Sequence, residues 1–176
     1  IIRAIDSDVP GAKKLAKALF SEGIDFAVGM NDSAQLVEFA AESNLPAALY
    51  TKGKLYLEGK KGYDKSVEDG MHYLNLAAKQ GYAEAQRYLG MIYENKLYGA
   101  EDDMAAYHWY QQAAETGDEF SQYRLAYMYF NLPGEDKNKI SAYAWANLAA
   151  STGMMPAEDL RNLIYDNLTP LYFDKD

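Results

Sequence analysis

Two histidines, His72 and His108, are the side chains best suited to proton transfer or metal binding at neutral pH. They are 36 residues apart and occupy equivalent positions of two consecutive sequence repeats. Equivalent positions on stacked repeats lie about 10 Å apart, which is too far for both rings to bind one metal ion. We therefore expect two surface residues rather than a joint metal site.

Nothing in the sequence marks a Ser/His/Asp arrangement or another catalytic motif. The chain has no cysteine, which excludes thiol nucleophiles, disulfides and cysteine-type zinc sites. It has no His-Glu-x-x-His motif and no glycine-rich phosphate loop. The acidic runs Glu101-Asp102-Asp103 and Glu135-Asp136 lack the spaced oxygen ligands of a calcium loop, and no carboxylate pair is placed for glycosidic chemistry. The sequence predicts a protein that is not an enzyme and needs no metal or cofactor.

Four aromatic residues are spaced for binding rather than for catalysis. Phe120, Tyr123, Tyr127 and Phe130 follow an i, i+3, i+7, i+10 pattern, which places them along one stripe of a helix. Tyrosine combines a large rigid ring with a polar tip, so such a stripe is suited to a protein partner. The alternative is that these rings pack against the neighbouring helix or a terminal cap.

The element that must position these residues is an internal repeat. Three copies, at 46–81, 83–117 and 119–153, and a weaker one at 10–44 recur with a period of 36 or 37 residues. A fixed period of this length is typical of a solenoid. One copy cannot bury its apolar face alone, so neighbouring copies must stack.

Each copy is predicted to be a helical hairpin. In the copy at 83–117, Ala85, Leu89 and Tyr93 form one helix face, and a second helix follows a polar break. Glycine or asparagine closes each copy, as a left-handed helix cap requires. The closing residues are Asn44, Gly81, Gly117 and Gly153.

Shared small and aromatic positions indicate how the helices pack. Gly53, Gly90 and Ala126 would let the two helices of a hairpin approach closely. Aromatic residues one turn later would fill the core, and two tryptophans would pack between repeats. These are Phe20, Tyr56, Tyr93 and Tyr129, with Trp109 and Trp145. The predicted fold is an all-α, right-handed α-solenoid of four helix-turn-helix repeats and a C-terminal capping helix.

The two ends of the chain differ from the repeats. Residues 1–9 are interpreted as an extended lead-in, and 154–176 as a capping helix with a tail. The cap should run over Ala157–Leu168 and end at Thr169-Pro170. Its apolar face is predicted to consist of Leu160, Leu163, Ile164 and Leu168.

The repeat resembles the Sel1-like repeat, a relative of the tetratricopeptide repeat. The second copy departs at Lys52 and Gly70, and the first departs most, with Lys17 at the small position. In the third copy the matching residues are Ala85, Leu89-Gly90, Tyr93, Ala106, Trp109-Tyr110, Ala113-Ala114 and Gly117. The resemblance implies an adaptor or scaffold; many bacterial members are exported, and some belong to periplasmic rings of flagellar motors.

First helices line the concave face of a helix-pair solenoid. Positions three before, one after and four after the small residue should face a partner there. This register predicts the partner-binding residues Tyr50, Lys54, Leu57, Arg87, Met91, Glu94, Phe120, Tyr123, Tyr127 and Phe130.

Charge narrows the class of partner. Acidic residues number 26 against 17 basic, a net charge of −9, so a nucleic-acid partner is not expected. No apolar run is long enough to span a membrane, so no membrane insertion is expected. Because the chain opens at Ile1, we expect a trimmed product from which a targeting segment is gone. A periplasmic or otherwise exported location is expected, with the cytoplasm as the alternative.

Three functions remain open at this point. The first is a non-enzymatic adaptor that holds a protein or peptide partner in its concave face. The second is a structural subunit of a larger bacterial envelope assembly, for example a periplasmic flagellar motor ring. The third is a binder of cell-wall glycan or peptide.

Overall fold

A computed structural model describes Lys14 and residues 33–132 and 136–172. The predicted lead-in and the first helix of the copy at 10–44, with Phe20, lie outside these residues. The described residues form eight α-helices, a short 3-10 turn at Leu97–Gly99, and no strand. The helices are α1 (Ser33–Glu42), α2 (Pro46–Glu58), α3 (Val67–Lys79), α4 (Ala83–Glu94), α5 (Asp103–Glu115), α6 (Glu119–Asn131), α7 (Asp136–Ala150) and α8 (Met155–Tyr172).

The chain divides into two compact units, residues 1–86 and 87–176. In the first unit, α2 packs against α1 and α3. In the second, α6 packs against α5, α7 and α8, and α7 packs against α8. The expected all-α arrangement of helical hairpins is confirmed.

Two facing glycines set the closeness of α2 and α3 in the first unit. A methyl group added to Gly53 would lie 2.9 Å from the carbonyl oxygen of Gly70, and one added to Gly70 would lie 3.0 Å from the carbonyl oxygen of Gly53. The same added methyl on Gly70 would lie 2.6 Å from the Leu57 side chain. Gly70 therefore makes room for Leu57, which is buried with only 1% of its surface exposed.

In the second unit a glycine faces a tyrosine, at the register where Gly53 faces Leu74 in the first unit. A methyl group on Gly90 of α4 would lie 2.7 Å from the ring of Tyr110 on α5, and that ring is fully buried. One repeat further on, the same two positions hold Ala126 and Ala146, which are both buried in one cluster. The contact thus combines glycine with a large ring in one copy and two alanines in the next.

The predicted left-handed caps are confirmed. Asn44 has a φ of 58°, and the closing glycines of the later copies also have positive φ. A feature that the sequence pattern did not reveal completes two of these turns. Gln86 and Gln122, 36 residues apart, each donate a side-chain hydrogen bond to the carbonyl of Ala78 or Ala114 near the end of the preceding second helix. The repeat therefore fixes its turns with side chains as well as with backbone geometry.

Asp118 joins the start of α6 to α4. Its carboxylate accepts the backbone N–H of Ser121 at 2.8 Å as an N-cap and pairs with Arg87 at 2.9 Å. We expect Asp118→Ala to lower the free energy of unfolding by about 2 kcal/mol, because it removes both a cap and a partly buried ion pair. Asp118→Asn keeps a capping oxygen and should cost about half as much. Urea unfolding of each variant measures these differences.

The matched control for this prediction is Asp102. It caps α5 by accepting the N–H of Ala105 at 2.9 Å and is exposed. Asp102→Ala should cost about 1 kcal/mol, the usual value of an N-cap. Equal losses for Asp102→Ala and Asp118→Ala would show that the Arg87 contact contributes nothing.

Lys52 is buried at a position where the next copies have Leu89 and Leu125. Its ammonium pairs with Glu38 of α1 and lies 4.5 Å from the centre of the Tyr73 ring. Burial by itself would lower the pKa of Lys52, but the hydrogen bonds and charge interactions with Glu38 and Tyr73 together outweigh it and leave the pKa above its usual value. The departure from the repeat pattern is therefore accommodated by an ion pair.

The capping helix is longer than predicted, and its apolar face is narrower. α8 continues through Thr169-Pro170 to Tyr172, so the prediction that it ends at Thr169-Pro170 is wrong. Leu160 and Ile164 are buried as expected, but Leu163 is 50% exposed. The prediction that Leu163 belongs to the buried face is wrong, whereas Leu168 packs against the same cluster as Leu160 and Ile164.

Candidate protein-binding surface

The predicted partner-binding residues of the first unit lie on α2. Tyr50 is half-buried, with its ring 5.6 Å from that of Tyr82. The ammonium of Lys54 lies 5.1 Å from the Tyr50 ring centre. Leu57 instead belongs to the core, because the missing side chain of Gly70 lets it pack inward. Its assignment to the partner-facing surface is wrong.

On α4, the three predicted residues make contacts within the second unit. Arg87 is paired with Asp118, and Met91 packs against the cluster around Tyr110 and Leu125. Glu94 receives hydrogen bonds through both carboxylate oxygens, one from Tyr110 and one from Arg124. These side chains are half-buried, so part of each faces solvent.

On α6, the aromatic stripe divides into packing residues and one exposed ring. Tyr123 packs against two buried clusters that include residues of the capping helix, and Phe130 packs against one of them. Phe120 lies 6.4 Å from Tyr110. Tyr127 differs from all three because 44% of its surface is exposed. Tyr123 and Phe130 therefore pack against the cap, as the alternative interpretation predicted, although part of each side chain stays exposed.

A chain of contacts connects the exposed ring of Tyr127 to the core. The buried Tyr110 hydroxyl donates to Glu94 at 2.8 Å, and Glu94 accepts from the Arg124 guanidinium. That guanidinium lies 5.1 Å from the Tyr127 ring centre and 5.9 Å from that of Tyr123. We call Tyr110, Glu94, Arg124 and Tyr127 the anchor network. It holds an aromatic side chain in place on a solvent-facing helix.

Two members of the anchor network, Tyr110 and Arg124, have raised pKa values. Burial raises the pKa of the Tyr110 hydroxyl, and the hydrogen bond to Glu94 raises it further, so the hydroxyl stays a donor. Burial opposes the charge on Arg124, but the contact with Glu94 keeps the pKa of the guanidinium above its usual value. Nearby, burial and the hydroxyl of Tyr129 raise the pKa of Tyr107 to about 12. Tyr107, Tyr110 and Arg124 therefore keep their protons near pH 7.

The histidines are exposed, as predicted for repeat-equivalent surface residues. The Nε2 atom of His108 lies 2.9 Å from the Gln112 amide. Across the part of the chain that the structure describes, no group of three or more acidic or histidine side chains is placed to hold a metal ion. Asp102 of the acidic loop acts as a helix cap, and Glu101 pairs with Lys96. Within that same part, no helix is both long and apolar enough to cross a membrane.

Sequence reasoning missed Arg124, and it missed the hydrogen bond from the buried Tyr110 hydroxyl to Glu94 that links Arg124 to the core. A signal for Arg124 was present in the sequence, because it is the one basic residue of α6 and stands among three tyrosines and two phenylalanines. A charge in such a setting needs a partner, and α4 supplies Glu94.

Comparison with known proteins places the repeats in a family. The family model described as the Sel1 repeat matches residues 46–82, 83–118 and 120–154. The predicted copy at 10–44 lies outside the matched residues and stays a prediction. Sel1 repeats typically mediate protein–protein interactions. No significant match was found among curated proteins.

Two solved structures share the fold. The first is a protective antigen present in uropathogenic Escherichia coli strains and displaying an SLR fold, with a TM-score of 0.67 and 27% identity over 89% of this chain. The chain spans only 33% of that protein's length. The second is a Sel1 repeat protein from Oxalobacter formigenes, with a TM-score of 0.66 and 24% identity. The second comparison covers 76% of this chain and 98% of the other.

Proposed function

Because the chain belongs to the Sel1 repeat family, we propose that it is a non-enzymatic adaptor that holds a protein partner on the first-helix surface of its second unit. The observation that carries this proposal is the anchor network. It presents the ring of Tyr127 to solvent while Arg124 holds that ring from one side.

A preorganised aromatic side chain is suited to the centre of a protein interface. Tyrosine and arginine are common among the residues that dominate binding energy. Holding such a ring in position before the partner arrives reduces the entropy that binding must cost. Arg124 is tied to Glu94, and Glu94 to a fully buried tyrosine, so the position of the ring is linked to the rigid core.

Site-specific photo-crosslinking in cells tests this proposal. A benzoylphenylalanine in place of Tyr127 should give a discrete adduct with one partner. With the partner identified, Tyr127→Ala should weaken its binding by about tenfold or more, as expected for an interface anchor. The melting temperature should stay nearly unchanged, because almost half of the side chain is exposed.

The same probe at Ala144 is the matched control. Ala144 is exposed on α7, a second helix. An adduct from position 144 and none from 127 would favour the alternative of a structural subunit that assembles through its outer helices. Adducts from neither position would contradict both functions.

A further inference from the structure

Three asparagines of the second unit share one register and one geometry. Asn95 follows α4, Asn131 ends α6, and Asn167 lies within α8, at intervals of 36 residues. Each donates an Nδ2 hydrogen bond of 2.8 Å to the carbonyl four residues earlier, which belongs to Met91, Tyr127 or Leu163. All three asparagines are exposed. We call them the asparagine row, and Met91, Tyr127 and Leu163 the apolar row.

The ends of helices do not explain the asparagine row. Asparagine is common where helices end, which would account for Asn95 and Asn131. Asn167 is different, because α8 continues five residues beyond it to Tyr172. Asparagine inside a helix is less favourable than alanine. Asparagine occupies this register whether or not the helix ends there. We therefore infer that its side chain serves the surface and not the helix end.

The helices that carry the two rows are neighbours. Glu94 and Arg87 of α4 pair with Arg124 of α6 and with its cap Asp118. Tyr123 of α6 packs against a cluster that contains Ala157 of α8. The rows therefore cross three consecutive first helices, and neighbouring helix axes lie about 10 Å apart.

Each asparagine presents a fixed amide to solvent. The local hydrogen bond uses one N–H and orients the group, and no other hydrogen bond from it is found among the described residues. The remaining N–H and the Oδ1 oxygen are one donor and one acceptor, the same pair that a peptide unit offers. A peptide backbone can therefore pair with the asparagine row whatever its side chains are.

We propose that the second unit binds an extended peptide segment, whose backbone amides pair with the asparagine row while its apolar side chains contact the apolar row. This inference rests on the proposed function and names the class of partner. An extended chain advances about 3.1–3.4 Å per residue, so every third residue meets the next helix. A segment of about seven residues crosses all three helices.

Charge adds a further feature to the peptide. Asp159 is exposed on α8, one turn before Leu163. The chain as a whole carries a net charge of −9. A lysine or arginine next to the peptide residue that contacts Leu163 would be attracted by the Asp159 carboxylate and by the negative charge of the chain. The occupant is thus an extended segment with apolar residues at every third position and a basic residue at its α8 end.

A phage-displayed library of random 12-residue peptides, selected against the whole chain, tests the proposal. Enriched peptides are then synthesised with a fluorescein label for anisotropy titration. The triple variant Asn95→Ala, Asn131→Ala, Asn167→Ala should weaken their binding at least tenfold. It should melt at or above the temperature of the unmodified chain, because alanine is the better helix former. Asn147→Ala, an exposed asparagine of α7, is the control and should change the affinity less than twofold.

Backbone N-methylation of the peptide gives the second measurement. Methylation at the contacting amides should weaken binding to the unmodified chain and have little further effect on the triple variant. The inference is overturned if no peptide is enriched, or if the triple variant binds within twofold of the unmodified chain. If the triple variant keeps the crosslinked partner while Tyr127→Ala loses it, the extended-peptide inference is wrong and the adaptor function stands. If neither change weakens that partner, both are wrong.

Discussion

Gly90→Ala is expected to lower the free energy of unfolding by about 2–3 kcal/mol, the cost of forcing an extra methyl group into a filled core. At an ordinary exposed helix position the same change would stabilise by up to about 1 kcal/mol, because glycine is the poorer helix former. The sign reverses here since the added carbon would lie 2.7 Å from the Tyr110 ring, well inside the contact distance of about 3.5–4.0 Å. Both tryptophans, Trp109 and Trp145, lie in the second unit, so their fluorescence during urea unfolding reports on it.

A double-mutant cycle gives the control for this prediction. Combining Gly90→Ala with Tyr110→Ala recreates the pair Ala126 and Ala146 found one repeat later. In the Tyr110→Ala background, Gly90→Ala should cost little or even stabilise, because the ring that it would strike is gone. An equal cost in both backgrounds would mean that the close approach of Gly90 to Tyr110 is not what requires a glycine.

Tyr110→Ala is expected to have the larger effect, about 3–5 kcal/mol, as for other large buried aromatic residues cut back to alanine. The ring is fully buried, and its hydroxyl is one of two donors to Glu94. Tyr110→Phe separates these contributions, because it keeps the ring and removes only the hydrogen bond. It should cost about 1 kcal/mol in urea unfolding.

Tyr165→Ala is the matched control, since this tyrosine is 49% exposed on α8. Its loss should stay near 1 kcal/mol or below, in keeping with a partly exposed ring. If Tyr110→Phe proved as damaging as Tyr110→Ala, the energetic weight would lie in the hydroxyl and not in the filled core. The packing argument for Gly90 would then fail as well.

Much of the fold could be predicted because the repeat applies the same physical demand several times. The positions that need a left-handed turn hold glycine or asparagine in every copy, and the structure confirms the turns at Asn44, Gly81, Gly117 and Gly153. The close approach at Gly53 and Gly90 was also readable, since a residue without a side chain is rarely tolerated inside a helix without a reason.

The surface was less predictable, because a register rule assumes that equivalent positions have equivalent neighbours. Leu57, Glu94 and Phe130 share one register, yet only Leu57 is buried, since only the second copy has a glycine opposite it. The anchor network depends on an ion pair between α4 and α6, which a pattern within one copy cannot show. The exposed Leu163 was misassigned for a related reason, because Leu160, Ile164 and Leu168 of α8 fill the core without it.

The paired sizes at the hairpin contact restrict the way in which the copies could have diverged from one another. Passing from glycine and tyrosine to two alanines takes two substitutions, and the intermediates differ in kind. One is overfilled, with alanine against tyrosine, and the other is hollow, with glycine against alanine. Both intermediates are less stable than the starting pair, because the hollow one loses a buried ring and the overfilled one displaces that ring and its hydroxyl from Glu94. A single substitution therefore cannot convert the contact of one copy into that of the next without a loss of stability. The two residues of each contact are expected to change together.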